Sequence, residues 1–362
     1  MKNPVFLKEE NNFFSDLKLA VDNYFFMNNI SYKANSKMFV KIILMFVIYM
    51  AVYLSIFVTT SNSTILFLIY AFMGAWSVLL GLNIGHDSAH NAIFKSSKNN
   101  RILLFIFEVL GTNAYNWKNR HLGAHHIFPN IMNHDSDIQQ TNIVKIFPKD
   151  NHKNIHAFQH IYMPLIYMFY IFRWVVYRDF KDAGSKNIGS YNNSNYPRKE
   201  LYKMILFKLF YLFYIVILPY IILPFSFLTI LLAFFILTVA GSLVITLVLL
   251  STHVGEDSSF PEPNQNGFMP HSWSYHQLIT ASDFGTESAV LHQLLGGFNH
   301  HVIHHLFPHI CHIHYPALTP ILKEIATKHN LPYRHKKYLF MAVLSHFKLL
   351  FQNSKNNATV EI

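Results

Sequence analysis

Two long stretches of the chain carry no formal charge. Ile42 to Gly85 and Leu209 to Gly255 contain no Asp, Glu, Lys or Arg. One bilayer crossing takes about 20 mostly apolar residues, so each run suffices for two crossings and a tight turn. The polar patch Thr59-Thr60-Ser61-Asn62-Ser63-Thr64 splits the first run, and Pro219 and Pro224 bracket the midpoint of the second. Proline disfavours continued helix. The pattern predicts four spanning helices, roughly 40–59, 65–84, 203–222 and 227–250, arranged as two hairpins. Two long core helices of a soluble protein would each show a polar face, and these runs show almost none.

Composition agrees. Just over half the residues are apolar, 52%, and only 13% are charged, against about 25% in soluble domains. Every Lys and Arg lies in the N-terminal, middle or C-terminal segment, never in a hairpin turn. These three segments therefore share one side, and the positive-inside tendency makes it cytoplasmic. The net charge of +10 then belongs to a face turned to anionic headgroups or an acidic redox protein; nucleic acid need not be invoked.

The expected fold is an all-α integral membrane protein: four transmembrane helices as two hairpins, with a cytoplasmic helical cap. It forms one domain over 1–362. Residues 1–38 are a cytoplasmic amphipathic segment, 40–84 hairpin 1, 85–200 a cytoplasmic segment, 203–250 hairpin 2 and 251–362 the C-terminal cytoplasmic part. Acids, lysines and asparagines precede any long apolar stretch, so no cleaved signal peptide is expected. Phe14, Leu17, Val21 and Tyr24 recur at helical spacing, as in a helix lying on a membrane surface. Ile102 to Leu110 and Ile161 to Tyr177 suit helices on or dipping into the interface. Lys181 to Arg198 reads as a loop, Thr319 to His329 and Tyr338 to Phe351 as helices, and the tail from Asn353 as frayed.

The chemistry is concentrated in histidine. There are 23, none precedes His86 and none falls between His160 and His253. Three clusters stand out: His86-x-x-x-His90, His121-x-x-x-His125-His126 and His300-His301-x-x-His304-His305. In a helix, i and i+4 share a face, so His86 pairs with His90 and His121 with His125. His126 is turned by about 100°, so one block serves two ions. His301, His304 and His305 lie mostly on one face. His253, by spacing alone, is an interface or capping residue at a helix end. Imidazole is the commonest transition-metal ligand, and the count exceeds what one ion takes. A structural zinc takes four ligands, usually with thiolate; the single cysteine, Cys311, reads as space-filling. Two irons activating dioxygen fit better, because removing hydrogen from an alkyl carbon is beyond any side chain. A membrane-edge site then points to a lipid substrate.

The flanks carry a family resemblance. His86-Asp87-Ser88-Ala89-His90, Asn116-Trp117-Lys118-Asn119-Arg120-His121-Leu122-Gly123-Ala124-His125-His126 with Pro129-Asn130-Ile131 and Asp135-Ser136-Asp137, and Gly296-Gly297-Phe298-Asn299-His300-His301-Val302-Ile303-His304-His305-Leu306-Phe307-Pro308 with His314-Tyr315-Pro316 resemble the three boxes of membrane fatty-acid desaturases, nearest the bacterial and front-end branch. The likeness covers roughly residues 35 to 325. It implies a non-haem di-iron enzyme that takes O2 and two electrons, forms a carbon–carbon double bond in a fatty acyl chain and releases water. The implied ligands are His86, His90, His121, His125, His126, His301, His304 and His305. His253 matches a further ligand that the family places after its last span.

There are departures. His301 stands where front-end members often have Gln, and its phase with His305 favours it over His300. Leu249 stands where some acyl-CoA relatives place an asparagine. No fused cytochrome b5 domain is expected, since His-Pro-Gly-Gly is missing, so ferredoxin, rubredoxin or free cytochrome b5 would bring the electrons. Asp87, Asp135, Asp137 and His300 are candidates for orienting ligand rings; His134, His276, His309, His312 and His314 read mostly as packing or hydrogen-bonding groups. A hydroxylase or ketolase would share the same early chemistry. A metal transporter would need polar groups across the membrane, which the apolar runs lack.

Overall fold

The computed structural model describes residues 3–58, 62–138 and 141–355. Of the expected polar turn, Thr59, Thr60 and Ser61 lie outside the described residues, as does the tail from Asn356. Four helices are long and apolar enough to cross a membrane: Ser36–Val58, Ser63–Ala89, Arg198–Ile222 and Phe227–Leu250. Polar residues start three of them. Asn35 Oδ1 accepts from the Met38 N–H, Asn62 Oδ1 from those of Thr64 and Ile65, and Ser226 Oγ from that of Thr229. Each such cap is worth about 1 kcal/mol. Their outward faces are apolar: Val47, Leu54, Leu206 and Leu228 are more than half exposed. Apolar surface on this scale suits association with a membrane.

The second and fourth helices pack most closely, and glycine sets their approach. A Cβ on Gly74 would stand 2.0 Å from the Leu237 carbonyl oxygen. Small residues at such crossings let backbones touch. The third helix runs past Pro219 and ends at Ile222, the bound expected from the sequence. Proline crowds the carbonyl four residues before it. A π-helical turn at Phe213–Ile217 relieves this. The Ile215 carbonyl accepts from Tyr70 OH at 2.7 Å and the Tyr214 carbonyl from Tyr53 OH at 3.0 Å.

The rest is mostly helical, with three two-stranded ladders that the helical pattern did not predict. Val5–Leu7 pairs in parallel with Phe268–Ser272, and Asp283–Phe284 with His335–Lys336. Asn187–Ile188 and Tyr191–Asn192 form a small antiparallel hairpin inside the expected loop. The Phe13–Met27 helix does not use its apolar face on a membrane surface, which corrects that expectation. Phe13, Leu17, Val21 and Phe25 are buried against Leu318, Leu322 and Ala326, so the Tyr315–Lys328 helix takes the place given to lipid. The true stripe is offset from Phe14 and Tyr24 because the partner helix selects the i, i+4 row it covers. Nor does the chain fray at Asn353, which is buried and donates to the Ile146 carbonyl at 2.6 Å. Ile161 to Tyr177 folds into helices Gln159–Tyr167 and Tyr170–Arg173 leading into a π-helical turn. This segment lies along the fourth apolar helix: the Ile171 N–H reaches Ser242 Oγ at 2.9 Å and Phe169 meets Phe235 at 5.7 Å.

Candidate metal centre

The histidine clusters meet at the ends of the second and fourth apolar helices. A π-helical turn, Gly81–Gly85, delivers His86 and then His90. The Ala114–Arg120 helix, capped by Asn113, leads into a second π-helical turn, His121–His125. His253 follows the fourth helix, and Asn130 Nδ2 donates to its carbonyl at 2.9 Å. The His301–Leu306 helix is entered through Gly296 and Gly297, at φ +59° and +77°. A Cβ on Gly296 would sit 2.7 Å from the Leu82 carbonyl oxygen. Asp283 Oδ1 accepts the Val302 N–H at 2.8 Å at the start of that helix. Burial pushes the Asp283 carboxyl up to about 7, against the lowering pull of its Tyr333 and Val302 hydrogen bonds.

Nine histidines form two sets: His86, His90, His121, His126 and His304, and His125, His253, His301 and His305; within each, donor atoms lie within 4.8 Å of one another. All nine are buried. Adjacent residues go to opposite sets, His125 against His126 and His304 against His305. His126 and His305 stack between the sets at 4.4 Å. The expected pairing of His121 with His125 is corrected. The π-helical turn joins the His126 N–H to the His121 carbonyl at 2.9 Å, so the fifth residue, not the fourth, returns to the same face.

Hydrogen bonding fixes which nitrogen points inward. The His253 Nδ1–H donates to the Thr280 carbonyl at 2.9 Å, and His125 Nδ1 to Asp135 at 2.9 Å. His305 Nδ1 lies 2.9 Å from Gln277 Oε1 and His304 Nδ1 3.0 Å from Tyr315 OH. A neutral imidazole protonated at Nδ1 presents a bare lone pair at Nε2. Yet the Nε2 atoms of His253 and His305 are 3.0 Å apart, and those of His253 and His301 2.8 Å. In the other set, His126 Nε2 lies 3.0 Å from His121 Nε2 and 3.1 Å from His304 Nε2. Both nitrogens of His86 and Nε2 of His90 lack a hydrogen-bond partner.

Burial, reinforced by neighbouring imidazoles, holds His126, His253, His301, His304 and His305 well below the ordinary histidine range. Burial likewise takes His121 down to about 3. His125 is the exception: burial lowers it, but Asp135 outweighs burial and the net shift is upward. Converging neutral lone pairs are repulsive without a cation. An unpaired buried polar group costs about 1–3 kcal/mol, and His86 and His90 hold such nitrogens inside the cluster. An all-nitrogen donor set of this kind fits transition-metal ions.

The carboxylates singled out in sequence sit behind these rings. Asp135 holds His125 and the Asn130 N–H. Asp137 stands 3.6 Å from His121 Nδ1 and pairs with Arg178 at 2.8 Å. Asp87 binds His312 Nδ1 at 2.8 Å and stands 3.6 Å from His86 Nδ1. His300 turns to Thr319 Oγ1 at 2.8 Å and joins neither set. Sequence reasoning passed over Gln277, the Thr280 carbonyl, Tyr315 and Trp117, which stacks on His121 at 4.6 Å. Tyr315 and Trp117 had a signal, in His314-Tyr315-Pro316 and in the Asn116-Trp117 start of the second box.

Two apolar cavities meet beside the histidines, sharing His121, Asp137, Tyr170, Leu249 and Phe298. One descends between the second and fourth apolar helices to Gly74, Leu237 and Gly241. The other runs past His125, His253 and His301 to Met163, Ile166 and Arg173. The lining they share lies beside the donors of both sets.

Sequence comparison decides the family. The family model for fatty acid desaturase matches residues 61–337. The chain belongs to the fatty acid desaturase family. It is similar to the sn-1 linoleoyl-lipid 6-desaturases of Synechocystis sp. (28% identity, over 74% of this chain and 75% of that one) and Arthrospira platensis (29%, over 78% and 76%). It also resembles the acyl-lipid (8-3)-desaturase of Physcomitrium patens (27%, over 94% and 71%). The desaturase is thus an oxidoreductase of fatty acyl chains, and its buried histidine sets are compatible with a metal centre.

Proposed function

We propose that this desaturase forms a carbon–carbon double bond in an acyl chain carried by a membrane lipid, at two iron ions, with O2 as co-substrate and a separate electron-donor protein. One observation carries the reading: two sets of converging imidazole nitrogens stand beside two adjoining apolar cavities. His86, His90, His121, His126 and His304 would hold one ion, and His125, His253, His301 and His305 the other. Bound iron supplies the dioxygen activation that an unactivated methylene needs. The protein fixes ring orientation through Asp135, Thr280, Gln277 and Tyr315. Leu249, Phe298 and Tyr170, which line both cavities, hold the acyl chain against the donors and exclude water. The names of the relatives support a lipid-borne substrate.

The same reading places the four helices as two hairpins and the histidine region on the cytoplasmic side, where the Lys and Arg segments lie. Expression in a host with simple lipids, followed by mass spectrometry, tests the activity. A new double bond without added oxygen is expected. An oxygen-18 label retained in the lipid identifies a hydroxylase instead, and no product from the wild type rejects the reading.

A further inference from the structure

The segment that carries His253 is not held by its own backbone. The fourth apolar helix ends at Leu250, and the chain from Ser251 to Val254 continues irregular and buried. Buried backbone groups need partners, and the three carbonyls from Thr252 to Val254 each take theirs from a distant segment. The Thr252 carbonyl accepts the Ser282 N–H at 2.8 Å. Asn130 holds the His253 carbonyl, and His346 Nδ1 holds the Val254 carbonyl at 2.9 Å. Two residues on, the Glu256 N–H donates to the Ser345 carbonyl and hydroxyl, both at 3.0 Å.

Ser345 and His346 belong to the C-terminal helix, Leu339–Ser354. The match to the family model stops at residue 337, short of this helix. A Cβ on Gly255 would stand 2.7 Å from Ser345 Oγ, and Lys348 reaches Glu256 at 3.2 Å. Leu349 and Leu350 pack with Val144, Ile146, Met163 and Val254, all four of which line the second cavity. The helix is thus fastened to the His253 segment and to the back of the cavity wall.

His346 makes the tie between them. A carbonyl only accepts, so Nδ1 carries the proton, and Nε2 accepts from the Tyr167 hydroxyl at 2.7 Å. The ring is fully buried, and burial takes it down to about 4, so it is neutral with one tautomer fixed. Tyr167 and Val254 both line the second cavity, and His346 bridges them from behind.

We propose that His346 is a positioning residue for the set of His125, His253, His301 and His305: it fixes the backbone on which His253 stands and ties it to the cavity wall through Tyr167. The inference rests on the two-ion reading of the desaturase and adds to it the C-terminal helix as the support of the ninth histidine. No member of the five-histidine set stands on the 251–256 segment, so the effect falls on one ion.

The test loads the whole chain, in lipid nanodiscs, with iron(II) and withdraws the metal with a chelator of known affinity. His346→Leu fills the space but makes neither bond. One of its two ions should leave at about tenfold lower chelator concentration, the low end of what losing a ligand-orienting partner costs, while the other is held as in the wild type. His346→Gln, whose amide can donate to Val254 and accept from Tyr167, should restore most of the retention. In an anomalous difference map of His346→Leu, the peak that fades should be the one among His125, His253, His301 and His305. Unchanged retention, equal weakening of both ions, fading of the other peak, or no rescue by His346→Gln overturns the role. Should His346→Leu not accumulate, Tyr167→Phe decides: it removes one hydroxyl and should loosen the same ion, and retention equal to the wild type overturns the tie. The readout needs no turnover. A wild type that binds two irons but forms no double bond fails the desaturase reading and leaves this test standing. A wild type that takes up no iron fails the two-ion reading, and the role of His346 falls with it.

Discussion

His121 and His126, five positions apart, point their Nε2 atoms at each other across 3.0 Å. An α-helix would have turned His126 away and brought His125 round instead. The π-helical turn reverses this and sends His125 to the other set. One added residue per turn thus divides a single histidine block between two ions, a use of π-helical turns seen often at functional sites.

This division predicts how single variants lose metal. His125→Ala and His126→Ala should each remove one donor from a different set, abolish desaturation and lower iron from about two per chain toward one. His300→Ala should keep both irons, because its ring faces Thr319. Iron analysis of the purified variants checks this; full activity in His125→Ala, or iron loss in His300→Ala matching it, contradicts the assignment.

Asp135→Asn should weaken one set without removing a ligand. The carboxylate accepts from His125 Nδ1 and from the Asn130 N–H, and loss of such a partner typically costs about 10–100-fold in metal affinity. Tyr315→Phe, which leaves His304 without its hydroxyl neighbour, should act in the same direction. Competition with a chelator of known affinity reads both; unchanged retention in Asp135→Asn removes its positioning role.

The histidine positions and the four apolar helices were legible in sequence because each rests on local composition. His301 over His300 was also legible, through its i, i+4 phase with His305. The split of His125 from His126 was readable only as a rotation about an ideal helix, and the π-helical turn changed which residue rotates away. Gln277 and Thr280 were invisible, since they lie 28 and 27 residues from the rings they hold. The N-terminal stripe was visible as a pattern, but what it packs against is decided by a helix some 300 residues later. The helix end at 222 was legible, but the tyrosines that satisfy the carbonyls behind Pro219 were not, because they come from other helices.

Gly296→Ala should damage the centre without touching a ligand. Its φ of +59° and the Leu82 carbonyl 2.7 Å from a new Cβ leave no room for a side chain, and a strained position of this kind costs about 1–3 kcal/mol. Thermal unfolding should show a lower midpoint together with reduced iron. A variant as stable and as iron-rich as the wild type contradicts the account of how the His301–Leu306 helix is placed.

Removal of metal should destabilise the protein, since bare lone pairs then face one another. Ions that bind the folded state only stabilise it by mass action. Chelated protein should unfold at a lower temperature than the iron-loaded form, and the difference should shrink in His126→Ala. Identical melting of the two forms contradicts the argument from lone-pair repulsion.

The central claim is that the nine histidines hold two ions in a five-to-four division. An anomalous difference map recorded at the iron edge tests it most directly. Two peaks are predicted, one among His86, His90, His121, His126 and His304 and one among His125, His253, His301 and His305. A single peak, or peaks outside these sets, would contradict it.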